Sequence, residues 1–156
     1  MYFSSSDVAN TFLVRSFRQS VPVTAMRLQR MLFFAHSDHL DRAGTPLVHE
    51  RFIAWPYGPV LPSIQQKFGA FVSNAITRFA TDAASDSYVV DEQKRENIRR
   101  SIDLVWTAAL PLTSAELSRI ARDTGSAGTN AHESGHPLDD ADIARDRPHL
   151  ALYRAG

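Results

Sequence analysis

The sequence predicts a mainly α (α+β) protein, a single compact helical domain with a small β-hairpin or short strands. Two observations support this prediction. Apolar residues recur at intervals of three and four positions over several long stretches, which is the period of an amphipathic helix. The length of 156 residues suits one domain, and 44% hydrophobic with 22% charged residues is ordinary for a folded globular chain.

The first two helices have clear start and end signals. Serines at positions 4–6 offer hydroxyl caps for a first helix, which should end before Pro22. Thr24 is the expected N-cap of a longer second helix. Gly44 is its expected end, because glycine tolerates the left-handed conformation that closes many helices.

Residues 47–55 break the helical pattern. They mix β-branched, aromatic and charged side chains, which predicts a strand or a short hairpin arm. Three prolines and Gly58 then crowd residues 56–62 and predict a rigid turn. A third helix is predicted over residues 62–71, because proline is tolerated in the first turn of a helix.

The next part of the chain predicts a loop, a brief strand and two more helices. Residues 81–87 have the composition of a loop, and residues 88–90 that of a short strand. Asp91 is the expected cap of a fourth helix, which Pro111 ends. A capping box over residues 113–116 then opens a fifth helix.

The C-terminal stretch changes in composition. Residues 123–135 are small and polar, which predicts a mobile loop. A short acidic helix is predicted over residues 139–145, and a tail then closes on the domain through Leu150, Leu152 and Tyr153.

Composition narrows the class of protein. Lysine plus arginine number 17 and aspartate plus glutamate also 17, whereas proteins that hold nucleic acid usually have a basic excess. The chain has no cysteine, which excludes disulfides and thiolate chemistry. It shows neither a secretory signal nor an apolar stretch that could cross a bilayer. We therefore expect a cytoplasmic protein without a membrane partner, for which nucleic acid is an improbable ligand.

No catalytic residue, metal site or cofactor is predicted. Residues 132–136 match the H-E-x-x-H pattern of zinc proteases, in which one helical turn places both histidines on one face. Gly135 and Pro137 argue against the helix that this pattern needs, so a metal-dependent hydrolase is a minor alternative. His36 and His39 form a pair without a third ligand, and we expect one at the edge of the core and one in solvent.

A DNA-binding regulator is the other alternative that the residues suggest. Residues 112–121 resemble the first helix of a helix-turn-helix unit. The segment that follows is rich in glycine and serine, and nothing in it marks a basic recognition helix. Specific DNA binding is therefore not the expected function.

Five stretches match a known family in their order and spacing: residues 6–10, 24–36, 47–60, 102–106 and 114–118. The most specific of them has a glutamate, then Ala-Trp, then Gly-Pro-Val. These stretches resemble the SocA-like antitoxin family, also called the Panacea domain, which includes phage-associated GepA-like proteins. The resemblance covers about residues 5–121.

The resemblance implies an interaction protein, not an enzyme: an antitoxin that binds and neutralises a cognate protein toxin encoded next to it. It leaves open a proteolytic adaptor that delivers a client to a AAA+ protease, and a homo-oligomer. It also implies a family core over residues 1–121, followed by a variable C-terminal loop and short helix over residues 122–156 packed on the same domain. The signature positions, structural or partner-binding, are Asp7, Leu28, Gln29, Glu50, Ala54, Trp55, Tyr57, Gly58, Pro59, Val60 and Leu117.

The sequence departs from the family after Ile120. The family often has a histidine followed a few residues later by Pro-Trp, whereas here residues 136–138 lack the tryptophan. If this end of the domain contacts a partner, the partner or the binding mode differs from the common one.

Residues 55–60 also have a physical interpretation of their own. Trp55, Tyr57 and two prolines make a stiff aromatic turn, a type of surface that anchors interfaces. The alternative, which the residues favour, is a structural hinge with Trp55 in the core and Gly58 supplying a positive φ. Tyr57 is then the member expected to be exposed. Glu50 should pair with an arginine or cap a backbone group, because an unpaired buried charge is costly.

Overall fold

The computed structural model describes residues 3–123 and 135–155, and these residues contain seven α-helices. A 3-10 turn, Gly69–Phe71, continues the third helix. The mainly-α prediction is confirmed. The helices are α1 (Ser5–Gln19), α2 (Ala25–Ala43), α3 (Pro62–Phe68), α4 (Glu96–Ala109), α5 (Ser114–Asp123), α6 (Asp140–Asp146) and α7 (Pro148–Ala155).

The predicted starts and ends of α1 and α2 are confirmed. The Ser4 hydroxyl accepts a hydrogen bond from the Asp7 backbone N–H at 3.1 Å and caps α1. The Thr24 hydroxyl accepts one from the Arg27 N–H at 3.2 Å and caps α2. Gly44 closes α2 with φ 72°. Each cap satisfies a backbone group that the helix itself leaves unpaired.

The α2 helix is the centre of the domain. The other six helices all pack against it, and nearly every side chain from Leu28 to His39 is buried. A helix buried on all sides lies inside a core, not on its surface. Phe33 and Phe34 both belong to this core, although they point in different directions, and Leu117 of α5 packs into the same cluster.

The predicted β-hairpin is not confirmed. In residues 3–123 and 135–155 the extended segments meet only in isolated bridges, and no continuous strand forms. Ile53 pairs with Val60 and with Pro137, and Phe3 pairs with Val48. These pairings are too short to make a ladder. The apolar side chains of Leu47, Val48, Phe52 and Ala54 pack instead into the helical core.

Two helix boundaries and the C-terminal tail differ from prediction. The α4 helix begins at Glu96 and not after Asp91, because residues 91–95 first make a turn in which Lys94 N–H donates to the Asp91 carbonyl. The α3 helix ends at Phe68, and the 3-10 turn completes the predicted span. The predicted C-terminal tail is a seventh helix, α7.

A buried carboxylate connects α2 to α4 and α7. Asp38 accepts hydrogen bonds from the Ser101 hydroxyl at 2.5 Å and from the Tyr153 hydroxyl at 2.9 Å, and Arg42 forms an ion pair with it. Although burial by itself would raise the pKa of Asp38, these hydrogen bonds lower it below its usual range. Burial and the neighbouring Asp38 charge raise the pKa of Tyr153, which therefore stays a hydrogen-bond donor.

Two buried histidines attach the C-terminal helices to α2. His36 Nε2 lies 2.8 Å from Asp140 Oδ1 of α6. His149 of α7 lies with its Nδ1 2.6 Å from the Ser37 hydroxyl. Burial lowers the pKa of His149. Polar contacts thus supplement the apolar packing of α6 and α7 on the core. No helix in the described ranges is long and apolar enough to cross a membrane.

Candidate functional site

The tight turn over residues 55–60 has an exposed first half, residues 55–57, and a buried second half, residues 58–60. Ile53 and Val60 exchange two backbone hydrogen bonds, at 2.8 and 2.9 Å, and close the base of the turn. Within it the Gly58 N–H donates to the Trp55 carbonyl at 2.9 Å. Trp55 is 39% exposed and Tyr57 62% exposed. The expectation that Tyr57 is exposed is confirmed, and the expectation that Trp55 lies in the core is wrong.

Two neighbouring side chains of α2 hold the second half of this turn in place. The Gln29 amide donates to the Leu61 carbonyl at 3.0 Å and accepts from the Leu61 N–H at 2.8 Å. Arg30 Nη1 donates to the Pro59 carbonyl at 2.9 Å. Both side chains are buried. Because the buried half is attached to α2 in this way, the aromatic half is presented to solvent on a rigid support.

Gly58 is required at its position for two reasons. Its φ of +123° is one that residues with a side chain rarely adopt. A Cβ placed on it would lie 1.9 Å from Arg30 Nη1. The predicted positive φ is confirmed, and the structure adds the packing of the arginine against the glycine.

Glu50 connects α1 to the start of α3. Its carboxylate accepts hydrogen bonds from the Ser63 N–H at 2.8 Å and hydroxyl at 2.5 Å, and from the Ser5 hydroxyl at 2.8 Å. Of the two expectations for Glu50, the backbone cap is confirmed. The negative charge of this carboxylate also lies at the N-terminal, positive end of the α3 dipole, which is a favourable interaction.

A groove of about 480 Å³ lies between the start of α2, the 55–60 turn and the end of the 3-10 turn. We call it the α2 groove; its lining includes Met26, Arg30, Trp55, Tyr57 and Val72. Nine large hydrophobic side chains are exposed in residues 3–123 and 135–155, and four of them line this groove. Apolar exposure is therefore concentrated here, which marks a surface for interaction.

Val72 at the rim of the groove has a strained backbone. Its φ is 56°, in the left-handed region, and its side chain is exposed. A positive φ is a genuine outlier for a β-branched residue, and such strain concentrates at functional sites.

Arg30 lies at the floor of the groove and is 2% exposed. Its Nε has no hydrogen-bond partner, and no carboxylate in the described ranges forms an ion pair with it. Burial, with a further contribution from the charge of Arg122, lowers the pKa of Arg30 to about 9. The groove thus combines an apolar lining with a buried cation that has no counter-ion among residues 3–123 and 135–155.

The signature residues fall into three structural groups. The apolar positions Leu28, Ala54, Val60 and Leu117 are buried in the core. The second group, in the turn and the groove, is Gln29, Trp55, Tyr57, Gly58 and Pro59.

Asp7 and Glu50 form the third group, outside the groove. Asp7 lies in the first turn of α1 and lines a separate, smaller depression. Sequence reasoning missed Arg30, Met26 and Val72 as members of the groove. For Arg30 a signal existed, since it is a charged residue immediately before the longest apolar run of the chain.

The histidines do not form a metal site in the part of the chain that the structure describes. No group of three histidine, aspartate or glutamate side chains suited to a metal occurs there. His36 and His39 are both buried, so the expectation that one is solvated is wrong; His39 Nδ1 lies 2.7 Å from the Thr45 carbonyl. Of the H-E-x-x-H match, residues 132–134 lie outside the described residues, as does most of the predicted 123–135 loop.

The fold and the site together define a helical domain that presents a rigid aromatic turn beside an apolar groove. The chain belongs to the Antitoxin SocA-like, Panacea domain family, whose sequence model matches residues 28–126. It is 28% identical over 138 residues to the curated protein "Antitoxin SocA" of Caulobacter vibrioides (strain NA1000 / CB15N). That alignment covers 85% of this chain and 66% of the relative, slightly less than two thirds. No solved structure is significantly similar to the chain.

Proposed function

We propose that this protein is an antitoxin that binds a cognate protein toxin, encoded next to it, and neutralises it by occupying its surface. The family assignment supports the antitoxin role. The observation that carries the binding site is the α2 groove, where four exposed hydrophobic side chains meet. Under this proposal the protein acts by binding and needs neither a cofactor nor a catalytic residue.

The groove has the properties of a protein-binding surface. Tryptophan, tyrosine and methionine are enriched at interfaces, and Trp55, Tyr57 and Met26 contribute all three types here. Because the turn is fixed to α2 through Gln29 and Arg30, the backbone that carries its aromatic side chains loses little freedom when a partner binds. Such preorganisation increases affinity without any additional contact.

The test is co-expression and co-purification with the product of the adjacent gene. We expect that product to arrest growth alone, to be harmless in the presence of this protein, and to form a stable complex with it. A neighbour that is harmless alone, or two proteins that do not associate, would contradict the proposed function.

Single substitutions locate the binding surface. Trp55→Ala and Tyr57→Ala should each weaken the complex about tenfold or more, the size typical of aromatic residues at the centre of an interface. Tyr88→Ala is the matched control, because Tyr88 is 56% exposed and does not line the groove. Equal losses at Tyr57 and Tyr88, or no loss at either, would place the binding surface elsewhere.

A further inference from the structure

We propose that the toxin segment in the α2 groove carries an aspartate or glutamate whose carboxylate pairs with Arg30. This inference rests on the proposed function and specifies the chemistry of the partner. The groove then recognises an acidic side chain flanked by apolar ones: the aromatic and aliphatic rim contacts the apolar groups, and the buried arginine selects the charge.

Among the described residues, Arg30 has fewer polar partners than the partly buried arginines Arg15 and Arg27. Arg15 pairs with Glu92 at 2.5 Å and with Asp103 at 2.6 Å. Arg27 donates to two backbone carbonyls, those of Leu112 and Ala109. Arg30 is more deeply buried than either, yet within the described part of the chain it makes one hydrogen bond, to a backbone carbonyl, and its Nε–H has no acceptor.

No carboxylate of the described residues neutralises the buried charge of Arg30, and a buried charge without a counter-ion raises the free energy of the unbound domain. Charged groups are almost always paired when they are buried, because desolvation is costly. The positive charge of Arg122 nearby adds to the cost, as the lowered pKa of Arg30 reflects. A carboxylate that enters the groove would remove the imbalance, whereas a basic segment would increase it. Charge complementarity therefore favours an acidic segment.

A purely structural role is the competing explanation for Arg30. Its guanidinium packs against Gly58 and donates to the Pro59 carbonyl, so it also supports the turn. A support of this kind would affect binding only through the shape of the turn. It would not couple to one particular carboxylate on the toxin, and this difference can be measured.

The experiment is a double-mutant cycle on the complex with the purified product of the adjacent gene. Each aspartate and glutamate of that toxin is replaced singly by asparagine or glutamine, and dissociation constants are measured against the wild-type protein and against Arg30→Met. We expect Arg30→Met to weaken the complex about 30-fold or more, as truncation of one member of a buried charge pair does. One toxin substitution should cause a similar loss with the wild type and almost none with Arg30→Met.

The results separate the two proposals. No complex between the wild-type proteins would contradict the proposed function itself. If the complex forms and no substitution of a toxin carboxylate weakens it more than about threefold, the inference is overturned and the proposed function stands. This measurement needs only the wild-type form of the present protein. If circular dichroism shows that Arg30→Met is unfolded, Arg30→Gln, which also removes the charge and can still donate to the Pro59 carbonyl, replaces it in the cycle. Additive losses in that cycle would also overturn the inference.

Discussion

Replacing Gly58 by alanine tests the packing that supports the 55–60 turn. The new methyl group would lie 1.9 Å from Arg30 Nη1 and 2.8 Å from its Cζ, well inside van der Waals contact. The backbone would also have to keep a φ of +123° with a side chain present. Arg30 must therefore leave its position, or the turn must open, and either change breaks the hydrogen bond to the Pro59 carbonyl.

The expected cost follows from these two effects. Backbone strain of this kind costs about 1–3 kcal/mol. Loss of a hydrogen bond from a charged donor adds about 1.5–3 kcal/mol. We therefore expect Gly58→Ala to lower the free energy of unfolding by about 2.5–6 kcal/mol. In a domain of 156 residues this corresponds to a fall in Tm of roughly 5–24 °C.

Gly44→Ala is the matched control. Gly44 also has a positive φ, +72°, but a Cβ there would meet nothing within 4 Å. Gly44→Ala should therefore cost only the backbone strain of an alanine at positive φ, about 1 kcal/mol for a residue that ends a helix. Thermal and urea unfolding of both variants, followed by circular dichroism, give the comparison directly.

Measuring Gly58→Ala in the Arg30→Ala variant separates the steric clash with Arg30 from the backbone strain at position 58. In Arg30→Ala the side chain that meets the new methyl group is absent, so Gly58→Ala should cost about 1.5–3 kcal/mol less there than in the wild type. The reasoning is refuted if Gly58→Ala costs no more than Gly44→Ala, or if its cost is the same in both backgrounds.

Three further predictions concern the polar contacts beneath and behind the turn. Glu50→Gln weakens the charged cap at the Ser63 N–H and should lower the free energy of unfolding by about 1–2 kcal/mol in urea; no change would show that the cap contributes nothing. Tyr153→Phe removes the hydrogen bond to buried Asp38 and should cost about 1–3 kcal/mol, with α7 the first element to lose amide-exchange protection; uniform loss across the domain would contradict the local assignment. Because burial lowers the folded-state pKa of His149 below its unfolded value near 6.5, the unfolded state binds more protons just below that pH. Stability should therefore fall as pH drops from about 7 towards 5, and a plot of Tm against pH should be flatter for His149→Asn; an unchanged slope would refute this.

The sequence predicted the helices well because their signals are local. Serine or threonine caps, a closing glycine and the capping box each act over one turn of helix, so Thr24 and Gly44 mark the ends of α2 without knowledge of the rest of the fold. The predicted start of α4 is wrong because a cap signal is only local. Asp91 is a suitable cap residue, but the chain makes a turn there before the helix begins at Glu96.

The sequence by itself also determined the family, since the glutamate, Ala-Trp and Gly-Pro-Val spacing is a property of the linear chain. Only the tertiary structure decided which residues form the groove and which are buried. Trp55 was expected in the core, yet it is partly exposed because Gln29 and Arg30 attach the opposite half of its turn to α2. Arg30 and Gly58 are in contact although they lie 28 positions apart in the sequence. The periodicity of one helix cannot predict such a contact. Which side chains are buried, and which charges lie next to one another, depends on how distant parts of the chain pack together.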